Sequence, residues 1–185
     1  MEFLAELWLP ILINGIVLFF LSFLAWVVLP HHFDDYRQLP NEQDFMDALK
    51  GMNIPTGNYM YPYTKCKADQ GKPEYAEKYT VGPRGTLNVY EMPNMGVNLA
   101  KTFSFFLITS AVIAYITFVA CPPTAESQFM HVFRIAGTIG VLCHATSGMC
   151  NGIWFKRKLL TDFLDGIVFG LTLGLIFAVF WPVAS

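Results

Sequence analysis

With 185 residues, 54% of them hydrophobic and 14% charged, the chain falls well short of the charged quarter that a soluble domain carries. A formal net charge of -2 gives no sign of a nucleic-acid partner. No phosphate-cradling glycine loop, zinc-ligand spacing or nucleophile elbow occurs along it. The pattern predicts an all-α integral membrane protein: four transmembrane helices, with a small α+β cytoplasmic insertion between helices 1 and 2.

Residues 1–29 supply the first crossing, the apolar run Trp8 to Leu29. Glu2 and Glu6 stand where a signal peptide would be basic, the run exceeds an h-region, and no small-residue cleavage site follows. It reads as an uncleaved helix with Trp8 and Trp26 near its two ends and Asn14 bonding across to a neighbour. Residues 30–100 form the insertion. Asn41 precedes an amphipathic helix over 41–51, which Gly51 is expected to stop. Strands are expected near 58–63 and 86–92, with Lys65 to Lys78 as a loop. Tyr59, Tyr61 and Tyr63 are placed near headgroups or a partner.

Residues 101–185 hold three more crossings, 102–121, 131–155 and 160–181. In the third, Ala136, Gly140, His144, Gly148 and Gly152 recur every four residues; in the fourth, Gly166, Gly170 and Gly174 do the same. Such residues share one helix face, and their smallness lets two backbones approach in lipid. The glycines are therefore assigned to helix packing, within the chain or against another subunit. Arg37, Arg84, Lys101, Lys156, Arg157 and Lys158 all fall on one side of the crossings. This asymmetry places residues 30–100 and the Lys156–Lys158 turn in the cytoplasm and both termini outside.

Few residues suggest chemistry. His144, at mid-span between Gly140 and Gly148, could ligate a tetrapyrrole lying flat on the glycine shelf. The plainer reading is a neutral imidazole bonded to Thr138, Thr146, Ser147 or a group on another helix. Haem held by two histidines is disfavoured, because His131 lies about 20 Å away along the helix axis. Asp162 and Asp165 suit a helix N-terminus, with Lys158 as their partner. His31-His32 and Asp34-Asp35 resemble a metal cluster by residue type, but neighbours in an irregular segment rarely converge, so a solvated interface is preferred and no metal site is assigned. Cys143, Met149 and Cys150 are read as packing instead of copper ligands. Cys143 and Cys150 are too far apart on one helix to be bridged.

These features point to a non-catalytic accessory subunit packed against a larger membrane complex. The alternatives are a chlorophyll- or haem-binding transfer subunit using His144, and then a small transporter or channel. The expected partners are the lipid bilayer and other membrane subunits. Asn151-Gly152-Ile153-Trp154-Phe155, leading by a basic turn into the last helix, resembles small bacterial membrane proteins with four crossings. That resemblance covers about a quarter of the chain and implies no activity. The expected location is the bacterial cytoplasmic (inner) membrane.

Overall fold

A computed structural model describes residues 2–124 and 128–183. The chain forms two compact units, one made of residues up to Tyr36 and from Asn94 onward, the other of Arg37–Pro93. Four stretches of the first unit, Phe3–Val28, Met95–Ala120, Phe129–Phe155 and Leu160–Val179, are long and apolar enough to cross a membrane.

The first unit begins with α1 (Glu2–Phe23), which runs on into a wide π-helical turn, Leu24–Val28. Next in this unit comes α4 (Met95–Ala120), which starts well before the expected Thr102. The cause is Asn94, whose Oδ1 accepts a hydrogen bond from the Val97 N–H at 3.1 Å and caps the helix. Asn94→Ala should lower stability in detergent by about 1 kcal/mol, read from the denaturation midpoint, whereas Asn94→Asp should retain the cap.

The third crossing is not the single helix expected over 131–155. It divides into α5 (Phe129–Ala145) and α6 (Met149–Phe155). Thr146, Ser147 and Gly148 form the break, and all three are weak helix formers. The Thr146 hydroxyl also turns back to the Leu142 carbonyl at 2.6 Å. The fourth crossing, α7 (Leu160–Val179), is unbroken. Of the connection ahead of α5, residues 125–127 lie outside the described residues.

Packing in this unit follows the glycines closely but not along the whole expected seam. A Cβ on Gly140 would lie 2.9 Å from the Gly170 Cα, and one on Gly174 2.6 Å from the Gly137 Cα. One on Gly166 or Gly170 would overlap the backbone of Ala145 or Val141. Thus α5 and α7 meet backbone to backbone, with Gly137 a member of the contact that the four-residue register passes over. Gly148 lies in the break, where a Cβ would have nothing within 4 Å, while Gly152 faces the Leu159 side chain. Neither belongs to the α5–α7 contact. Leu7, Leu18, Ile113, Val132, Leu173 and Phe177 are fully buried and tie the four spans together. Asn14 is buried as well, but its amide has no hydrogen-bond partner among the described residues, contrary to the expected cross-helix bond.

The second unit contains α2 (Glu42–Met52), β1 (Gly57–Tyr61), α3 (Pro73–Val81) and β2 (Gly85–Val89). The strands pair antiparallel with Tyr59 opposite Leu87. β1 stops before Pro62, which has no N–H to give to a ladder. α2 passes through Gly51, and Asn53, at φ 48°, provides the left-handed stop instead. The expected loop at Lys65–Lys78 is largely helical, a 3₁₀ turn at Lys67–Gly71 followed by α3. Pro73 starts that helix at a position that needs no N–H, and Gly82, at φ 77°, ends it. The two residues mark the ends of a helix here, not a loop.

Candidate functional site

Local chain geometry after α1 builds a polar cluster at one end of the bundle. The Leu29 N–H bonds the Leu24 carbonyl at 2.9 Å and closes the wide turn. Pro30–His32 then forms a 3₁₀ turn, and the Asp35 N–H reaches the His32 carbonyl at 3.0 Å. This brings the Asp35 carboxylate beside His32 Nδ1, within hydrogen-bond distance. The His32 ring stacks on Trp26 with centroids 3.9 Å apart and planes 6° from parallel, and its side chain is only 2% exposed.

The other half comes from α7, at the far end of the chain. Asp162 and Asp165 lie three apart and so share a helix face. His31 Nε2 is 3.0 Å from one oxygen of Asp165, and His32 Nε2 is 2.9 Å from the other. The Thr161 hydroxyl donates to Asp35 at 3.3 Å, and Lys158 Nζ is 3.9 Å from the same carboxylate. Lys158 therefore meets Asp35 and not the expected Asp162 or Asp165. Asp34 is exposed.

The electrostatics of this cluster are self-consistent. Burial opposes a charge on His32, but its hydrogen bonds to Asp35 and Asp165 and their negative charges outweigh it, so its pKa is raised. For Asp35, burial again opposes the charge, and His32, Thr161 and Lys158 together outweigh it and lower the pKa. Stability from His32 is therefore lost as pH rises through its raised pKa, and that from Asp35 as pH falls through its lowered one. The window in which both are charged is widened at each end.

The same groups have the chemistry of a metal site. The ligand atoms of His31, His32 and Asp165 lie within 4.8 Å of one another, as do those of His32, Asp35 and Asp162. Two imidazoles and a carboxylate suit a divalent transition metal such as zinc. In that state His32 Nε2 would be a ligand, while Nδ1–H would donate to Asp35. A carboxylate that fixes the tautomer and orientation of a ligating histidine is a recurrent second partner in such sites.

His144 is separate from this cluster. Phe105, Phe106 and Phe169 surround its ring at centroid distances of 6.2, 5.8 and 6.1 Å. On the Gly140 side the shelf is filled by α7, and Gly148 lies beyond the end of α5. These surroundings do not fit a tetrapyrrole plane. The buried Nε2 has no hydrogen-bond partner among the described residues, so the bonds expected to Thr138, Thr146 or Ser147 are not made by that atom. His144 does line a cavity of about 320 Å³, whose wall also includes Asp162 and Asp165. Cys66, Cys121, Cys143 and Cys150 are all free thiols.

Sequence reading singles out the histidines, the carboxylates and Lys158 of the polar cluster, but neither Thr161 nor the convergence. One signal points to it: a chain that crosses four times brings the end of span one and the start of span four to the same side. His31-His32 and the Asp162/Asp165 pair therefore share one end of the bundle. Comparison with protein-family models, curated proteins and solved structures finds no match for this chain.

Proposed function

We propose that the protein is a non-catalytic integral membrane subunit that holds one divalent transition-metal ion at the membrane–water boundary. The observation that carries this reading is the meeting of His31 and His32 with both oxygens of Asp165. His32 and Asp165 are 133 positions apart in sequence, so their meeting is a product of the fold, and each partner is a good zinc ligand. The basic-residue asymmetry supports placing the cluster, with residues 30–100 and the Lys156–Lys158 turn, on the cytoplasmic side of a bacterial inner membrane. Large exposed apolar side chains along the spans, such as Phe20, Ile108 and Val168 at 62, 63 and 51%, suit contact with lipid or neighbouring subunits.

Equilibrium dialysis of the detergent-purified protein against zinc should give one tightly held ion per chain. The His31→Ala/His32→Ala double variant should lose it. Equal zinc content in the variant and the parent protein would defeat the proposal.

The break at Thr146–Gly148 favours a small transporter as the second reading, since interrupted spans line many transport sites. The two readings separate in proteoliposomes. A resident site predicts no zinc accumulation above that of empty vesicles, and uptake abolished by the double variant would select transport.

A further inference from the structure

The turn between α6 and α7 carries three consecutive cations, Lys156, Arg157 and Lys158. Its backbone is held to the end of α6. The Arg157 N–H bonds the Gly152 carbonyl at 3.1 Å, and the Leu159 side chain fills the space beside Gly152. Lys156 takes the left-handed position that closes α6, at φ 55°. Glycine adopts that conformation freely, whereas an L side chain there is strained. Local strain of this kind clusters at functional positions.

Lys158 is drawn to Asp35, 3.9 Å away. Lys156 and Arg157 are exposed, and neither has a carboxylate within ion-pair distance among the described residues. That includes Asp162, although it shares a cavity wall with Arg157. The rim of the turn is apolar on both sides: Ile153, Trp154 and Phe155 precede it and Leu160 follows, all exposed. These four belong to stretches long and apolar enough to cross a membrane. Two unpaired cations above exposed apolar side chains match an amphiphile with an anionic head and a hydrocarbon tail. A free anion would use the cations and leave the rim without a role.

We infer that this turn binds an anionic phospholipid of the surrounding bilayer, its phosphate held by Lys156 and Arg157 and its acyl chains against Ile153, Trp154 and Leu160. The site is independent of the metal reading above.

The test uses the full chain reconstituted in phosphatidylcholine bilayers that contain some phosphatidylglycerol, with bromine quenchers on the acyl chains of one lipid or the other. The reporter is Trp154, 81% exposed and two residues before Lys156; its emission is the part that Trp154→Phe removes. Brominated phosphatidylglycerol should quench it as if enriched at least about fivefold over brominated phosphatidylcholine, since one cation near a headgroup contributes about that factor. Lys156→Gln/Arg157→Gln should abolish the enrichment. Lys156→Gly should reduce it without lowering the denaturation midpoint, because glycine relieves the backbone there. That variant separates the loss of a binding group from the loss of fold. Millimolar inorganic phosphate should leave the enrichment intact. Equal quenching by the two lipids, enrichment unchanged in either variant, or displacement of the lipid by phosphate would each overturn the inference.

Discussion

Gly170→Ala is expected to weaken the packing of α5 on α7, and Gly170→Leu to prevent it. A Cβ at this position would overlap the backbone nitrogen of Val141 and the Gly140 carbonyl carbon. Backbone cannot rotate aside as a side chain can, so the helices must separate along several residues. Overpacking in a filled core costs about 1–3 kcal/mol, and a clash with fixed atoms belongs at the upper end. The measurement is the denaturation midpoint of the purified variant in detergent, with Gly148→Ala as the matched control. Gly148 has open space around it and should leave the midpoint unchanged. Equal midpoints for Gly170→Ala and Gly148→Ala would show that the close approach of α5 and α7 contributes nothing.

The second large effect concerns how the cluster divides its labour. Asp165 touches both histidines and is assigned as a ligand, whereas Asp35 bonds the opposite nitrogen of His32 and is assigned to orientation. Asp35→Asn should therefore weaken zinc binding about 10–100-fold, the usual effect of losing an outer partner of a ligating histidine. Asp165→Asn should weaken it more, since a charged ligand is lost outright. Competition with a coloured chelator ranks the two variants directly. The reverse ranking would move the ion to the Nδ1 side of His32, among Asp35 and Asp162, the alternative grouping in the same cluster.

The parts of the fold that are legible in the sequence are those set by composition over many residues. Four apolar runs of near-bilayer length leave little freedom, and the helices follow them. The features that escape such a reading each turn on one to three residues with a double meaning. Pro73 and Gly82 punctuate loops as often as they start and end helices, and here they frame α3. Thr146, Ser147 and Gly148 interrupt an apolar run without changing its mean hydropathy enough to show a break. Gly137 falls outside the four-residue register, yet it faces Gly174. The candidate site is hidden for another reason. His31, His32, Asp162 and Asp165 are individually ordinary at a membrane edge, and only their convergence makes a ligand set.

The α5–α7 glycine contact also limits how this chain can associate. Its flat, close-approach surface is consumed internally, so a neighbouring protein cannot use it for tight lateral docking. What α4 offers outward is a ridge of bulky side chains, Ile108, Val112, Tyr115 and Val119, each more than half exposed. Association through such a ridge would rely on interdigitating side chains, giving a looser and more exchangeable seat than the one inside the chain.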